Sequence, residues 1–258
     1  MKATDGSHSA ARPVRRTLRP YVEPAPAAPG PPPPAEPRQR WRIVYAKDPE
    51  GVATSQRDDL AAWEAGLIAS GLPIAGLDAP RRRPRILFAA PLSQGVAAER
   101  DLADLYLTRR TTVDVVRAGV IAALPAGHAL VDLHDVWLGT APLPADVIAA
   151  DYRIHLAPGA PPAWDLATAA RRLLALDSIE RERAKGTGLV RYDLRPLLAD
   201  ISVIEPGPPA ALRIRVRFDP QLGIGRADEV LAALVGLLGR DCPAASTVRE
   251  RVVLASEG

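Results

Sequence analysis

The chain has 258 residues, 47% apolar and 24% charged, a globular composition with room for one large domain or two ordinary ones. Its net charge of +3 is uneven: residues 1–40 carry seven Lys/Arg against three Asp/Glu, and the remainder carries 26 against 27. No run of about 18 apolar residues could span a membrane, Met1 to Asp5 lack a secretory apolar stretch, and Cys242 has no second cysteine for a disulfide, cysteine-zinc site or iron–sulfur cluster, so the cytoplasm is expected.

Ten of the 27 prolines fall within residues 1–40, which reads as a disordered Pro/Arg-rich tail. Order is expected from Trp41, where Trp41 to Lys47 alternates and is rich in β-formers. Ser55 and Asp58 have the spacing of a capping box, and Leu60, Trp63 and Leu67 recur at helical spacing until Gly71 and Pro73. Arg85–Ala89 and Leu102–Thr108 read as strands. Thr111 and Asp114 suggest a second capping box, opening a helix with Val113, Val116, Val120 and Leu124 on one face, and Ala129–Trp137 reads as a strand.

The same order then recurs. A strand is predicted over Asp151–Leu156, a helix over Trp164–Leu176, strands over Ile179–Lys185 and Leu212–Phe218, a helix over Arg226–Leu238 and a strand over Val248–Leu254, with an insertion near 186–211. Two βαββαβ series predict an α/β protein of the α+β kind: two tandem ferredoxin-like halves (41–138 and 151–256) joined by a linker (139–150), each a mostly antiparallel sheet backed by two helices.

Candidate chemistry is sparse. Asp132, His134 and Asp135 invite a metal reading, but a strand turns only Asp132 and His134 to one face, so ordinary surface residues are expected and no metal. Gly223-Ile-Gly225 precedes a helix, yet Asp228 stands where a dinucleotide fingerprint needs its third glycine. Lys185-Gly-Thr-Gly188 fits a hairpin turn better than a phosphate loop. No nucleophile–base spacing or metalloprotease motif occurs, so neither a catalytic residue nor a cofactor is assigned. The arginines are the main candidates for contact with a partner or an anion. Arg213, Arg215 and Arg217 alternate with Leu212, Ile214, Val216 and Phe218, and Arg81, Arg82, Arg83 and Arg85 crowd one loop. Both groups would suit RNA, although the strands show no exposed aromatic for base stacking. Lys185, Asp193 and Arg195 complete the set, as a site between the halves if the chain were an enzyme.

Arg42-Ile-Val-Tyr-Ala-Lys47, Ser55-Gln-Arg-Asp58-Asp-Leu60, Gly71-Leu-Pro73, Pro84-Arg-Ile-Leu-Phe-Ala89 and Pro91-Leu-Ser-Gln-Gly-Val96 follow one another as in the radical-SAM-associated family of unknown function, DUF2344. Ala149 to Ile154 and Lys185 through Tyr192-Asp-Leu-Arg-Pro196 resemble its later landmarks, so the likeness covers roughly 41–254. Signature positions by this resemblance are Ser55, Asp58, Pro84, Gly95 and Pro196. Gln56-Arg57 stand where the family usually has His-Leu, and Ala79-Pro80-Arg81-Arg82 replace a Gly-Phe-Asn-Pro-like loop. The resemblance implies an accessory protein whose partner, a radical SAM protein with a cobalamin-binding domain, supplies the chemistry.

Overall fold

The computed structural model describes residues 35–48, 54–185, 188–205 and 210–257. The tail expected over 1–40 lies outside the described residues as far as Pro34, and the first strand, β1, already begins at Gln39 (Gln39–Lys47). In chain order follow α1 (Gln56–Ala69), β2 (Ile86–Phe88), β3 (Val96–Leu107), α2 (Val113–Ala123), β4 (His128–Val136), α3 (Leu143–Asp146), β5 (Val147–Leu156), α4 (Ala163–Leu174), β6 (Glu180–Lys185), β7 (Gly188–Asp193), β8 (Leu198–Glu205), β9 (Ala211–Asp219), β10 (Gly223–Ile224), α5 (Ala227–Leu238) and β11 (Ala244–Leu254).

Nine strands form one sheet in the order β10-β9-β5-β11-β3-β1-β4, with β2 beside β3 and β8 beside β9. All pairings are antiparallel except β11 with β3, where Thr247, Val248 and Arg249 run alongside Val96, Ala97 and Ala98. The chain is therefore a mixed α/β protein with a mostly antiparallel sheet and five helices among the described residues. Where the two halves were expected to form separate sheets, they share this nine-stranded one, because the N-terminal end of β3 runs beyond the three-residue β2 and leaves an edge that β11 fills.

The second series also differs in its second strand. Residues 180–185 do form a strand, but it pairs with β7 as a separate hairpin. The strand beside β9 is β8, inside the expected insertion. A register shift between Leu198 and Asp200 turns both Leu198 and Ile201 inward, a spacing of three that hides the strand from a period-two reading.

Each helix pair covers its own part of the sheet. Trp63 and Leu67 of α1 and Val116 and Val120 of α2 pack on Trp41, Ile43, Ala103 and Leu105. Leu166 and Leu173 of α4 and Val230 and Leu234 of α5 pack on Ile154, Leu212, Ile214 and Val216. Burying a Leu or Val side chain stabilises by about 1.5–3 kcal/mol, and this apolar stripe per helix is what fixes the layers. Ser55 caps α1 as expected, its Oγ accepting from Asp58 N (3.2 Å). At α2 the N-cap is Thr112, with no side-chain capping bond, and Val113 is exposed.

The strand faces turned away from α1 and α2 carry Arg40, Arg42 and Val44 of β1 and Leu102 and Asp104 of β3. The segment leading to β5 packs against them. Leu143 of α3 joins Val44, Leu102, Val147, Val252 and Leu254 in a third apolar cluster. Arg40, only 1% exposed, binds Asp104 through Nε (2.7 Å) and donates to Thr140 Oγ1 (2.9 Å) and Ala141 O (2.9 Å). The expected linker is thus pinned on the sheet by a buried guanidinium. No described helix is long and apolar enough to cross a membrane.

Candidate functional site

The arginine row of β9 lies where strand alternation puts it, opposite the core-facing Leu212, Ile214 and Val216. Only Arg215 has acids directly across the strands, Asp151 on β5 and Asp200 on β8, whereas Arg213 faces Arg153 and Ser202, and Arg217 faces Ala149. Asp151 of β5, opposite Arg215, accepts from Arg215 Nε (2.6 Å) and Nη2 (2.8 Å) and from Arg251 Nε (2.8 Å). Glu250 accepts from Arg213 Nε and from Arg153 Nη1, both at 2.8 Å, and Arg153 also pairs with Glu99. Burial opposes ionisation of Asp151, but the two guanidinium bonds outweigh it and hold its carboxyl below the usual range. Arg217 donates to the Pro196 and Leu198 carbonyls. The face is an ion-pair lattice in which each of these arginines already has an acceptor.

The loop arginines are held differently. Arg81, Arg82 and Arg83 are exposed, Arg83 pairs with Glu64 (3.0 Å), and the Arg85 guanidinium lies 4.4 Å from the Tyr106 ring centroid. Lys185 opposes Gly188 at the end of the β6–β7 hairpin, whose tip lies outside the described residues. Asp193 and Arg195 bind backbone: Asp193 Oδ1 accepts from Ile179 N and Arg195 N, while Arg195 donates to the carbonyls of Leu174, Leu176 and Leu198. Arg195 thereby closes the C-terminus of α4, where carbonyls lack helical partners. Pro196 sits in a 3-10 turn, and Pro84 is buried beside the arginine loop. Asp132 and His134 are exposed neighbours 3.7 Å apart, and the described residues contain no cluster suited to a metal. Gly223–Ile224 form β10 and Gly225 follows it, while Arg226 pairs with Asp228 (2.8 Å) at the start of α5.

A different constellation emerges at the other end of β1. Tyr45 and Lys47 share the strand face that carries Trp41 and Ile43, so the lysine points under α1 into apolar surroundings. There Lys47 Nζ binds Asp59 Oδ2 at 3.0 Å, with the lysine side chain 6% and the aspartate 20% exposed. Asp59 stands in the first turn of α1, beyond the Ser55–Asp58 cap that orients the helix start. His128, opposite Lys47 on β4, brings Nε2 to 3.4 Å from Asp59 Oδ1. Its ring packs against those of Tyr45 and Trp63, which also touch each other. Burial alone would raise Asp59, but the contacts from His128 and Lys47 prevail and hold it below the ordinary carboxylate range.

Tyr45, Lys47, Asp59 and Trp63, with His128 outside the lining, border a cleft of about 220 Å³ whose other walls are Leu60, Phe88, the Ala89–Gln94 segment and Pro144. Its wall is fastened from the second half of the chain. Arg249 of β11, 0% exposed, donates to Pro91 O (3.0 Å) and Ala90 O (3.2 Å) and pairs with Asp101. Asp101 also accepts from Tyr45 Oη (3.2 Å), and burial, then the Asp101 charge, push the Tyr45 phenol well above its usual pKa. Gly95 ends the wall at φ 83°, a conformation that needs glycine. A charged residue at an inward position of an alternating strand was the available sequence signal for Lys47. Asp59 and His128 carried none, since their meeting depends on strand pairing.

Residues 40–226 match the model of a family described as uncharacterized protein conserved in bacteria, DUF2344. No curated protein matches. Among solved structures, a chain of a Cbf5-Nop10-Gar1 complex is 12% identical, with 82% of this chain and 48% of that one covered and a TM-score of 0.46. A chain of an archaeal box H/ACA sRNP Nop10-Cbf5 complex is 13% identical over 82% and 47%, with a TM-score of 0.42. An unknown protein from Galdieria sulphuraria is 14% identical over 84% and 99%, with a TM-score of 0.24. The chain spans about half the length of the first two.

Proposed function

Since the chain belongs to DUF2344, a family of uncharacterized proteins conserved in bacteria, we propose that it is a non-catalytic accessory protein that holds a small substrate in the Lys47–Asp59 cleft and presents it to a radical SAM enzyme. One observation carries this reading. Four separate segments that bear the family resemblance supply most of the cleft: Tyr45 and Lys47, then Gln56, Asp59 and Leu60, then Phe88 and Ala89, then Pro91 to Gln94. Gln56, which stands where the family usually has His, is itself a lining residue. The partner class rests on the resemblance alone. The non-catalytic part is supported by the ion pair, because an ammonium held against a carboxylate is a poor nucleophile and its partner a poor base. Two fused ferredoxin-like units, 41–138 and 151–256, would present the cleft beside their junction, and the repeated strand orders β4-β1-β3-β2 and β11-β5-β9-β8 support that view. The reading places the protein in the cytoplasm with its partner.

Co-purification from the native host after mild cross-linking tests the proposal: a radical SAM protein should come down with the chain. Recovery of the chain alone would count decisively against it. A second reading, an RNA-binding module, is favoured by the row Arg213, Arg215 and Arg217, but the acids and carbonyls already engaging those arginines weaken it. It requires an RNA affinity that falls steeply with salt and weakens when the three are changed to Gln.

A further inference from the structure

The polar lining of the cleft also limits the chemistry of what it can hold. Lys47 carries three N–H donors and gives one to Asp59, which is its acceptor among the described residues. Asp59 has further lone pairs beyond those facing Lys47 and His128, and its side chain, 20% exposed, is part of the cleft lining. A donor and an acceptor thus stand side by side, 3.0 Å apart, in the lining of a mostly apolar cavity. As a pair they carry no net charge, and the Arg249–Asp101 pair behind the wall adds none. A ligand carboxylate offered to Lys47 would sit against Asp59, and a ligand cation offered to Asp59 would sit against Lys47, so either charge meets repulsion beside its attraction. A neutral group offering an acceptor and a donor in the same spacing satisfies both without a charge penalty. Elsewhere in the lining, Leu60, Phe88, Leu92 and Pro144 offer apolar surface. A volume of 220 Å³ is smaller than the roughly 300 Å³ at which drug-sized sites begin, which fits one or two rings.

Resting on the reading of this cleft as a substrate site, we infer that it takes a neutral planar ring bearing a cis-amide (lactam) edge, with the C=O on Lys47 and the N–H on Asp59. The ring lies between the apolar walls.

Three probes of similar shape test the charge preference on the full-length chain, by saturation-transfer NMR titration: 2-pyridone (neutral lactam), benzoate (anion) and benzamidinium (cation). The lactam should bind at least tenfold tighter than either charged ring. Lys47→Met and Asp59→Asn should each weaken it at least tenfold, and Leu60→Trp, at a 37% exposed position on the rim, should block it while leaving the circular dichroism unchanged. If benzoate or benzamidinium binds as well or better and Leu60→Trp blocks it, the lactam assignment is wrong while the cleft remains a binding site. Lactam binding that Leu60→Trp blocks but neither polar variant weakens also overturns the assignment. If no probe binds, or Leu60→Trp has no effect on binding, the assignment and the substrate site fall together.

Discussion

At the level of single residues, a few charges set against apolar strand faces account for the site and for much of the local stability. Lys47 is nearly enclosed, and its company in the core is acceptable only because Asp59 neutralises it. Lys47→Met should leave Asp59 without its ammonium and cost about 1–3 kcal/mol in urea denaturation, with Asp59→Asn similar. The Lys47→Met/Asp59→Asn double variant should recover part of the loss, and strictly additive losses would show that the two are not coupled. Asp59 and Asp151 both have folded-state pKa values below the unfolded carboxylate value of about 3.9, so each adds stability above that pH and loses it as pH falls through its folded value. The urea midpoint of the native chain should therefore exceed that of Asp151→Asn at pH 6, and the gap should close between pH 4 and the acid limit. A gap independent of pH would mean that Asp151 acts through packing rather than charge. The start of β1 is hidden at this same scale: Gln39 and Arg40 look like more of a polar tail, and Arg40 becomes a core residue through partners far along the chain, Asp104, Thr140 and Ala141.

The elements were legible where one period runs unbroken. The α4 sequence places Leu166, Ala170 and Leu173 on a single face, and Leu212 to Phe218 alternates cleanly, and both lie where the pattern puts them. The reading failed where geometry interrupts the period, as at the bulge of β8. Leu60 shows a related limit, since helical spacing points it inward and the cleft leaves it 37% exposed. Close contact between α1 and α2 rests on Gly66, where an added Cβ would lie 2.2 Å from the Ala123 carbonyl oxygen. Gly66→Ala must push the helices apart and should cost about 1–3 kcal/mol, although alanine is the better helix former. A thermal midpoint equal to or above that of the native chain would show that the crossing relaxes freely.

Across the whole molecule, the parallel pairing of β11 with β3 turns two repeated strand orders into one sheet. Arg249 sits on that seam and binds three groups of the first half: Asp101 and the carbonyls of Ala90 and Pro91. The second half thus holds a wall of a cleft built from the first. Arg249→Met would leave Asp101 buried without its cation and should destabilise the fold by about 3–5 kcal/mol. Lysine should rescue little, because one ammonium cannot reproduce a planar fork that reaches three acceptors. Hydrogen exchange resolved along the chain would check the site effect: residues 89–96 should lose protection in Arg249→Lys even where the α4–α5 core does not. Uniform protection across both regions would assign Arg249 a purely global role.

The residue pattern by itself determined the kinds and order of most elements and the absence of any second cysteine for Cys242. It also carried the family likeness. Periodicity and turn chemistry are local, readable within a dozen residues. Which strand lies beside which, and hence the fused sheet, the buried Arg40 and the meeting of Lys47, Asp59 and His128, was decided only by tertiary packing. The energy that selects those neighbours comes from burying apolar faces and pairing enclosed charges between segments far apart in sequence, and no local pattern encodes it.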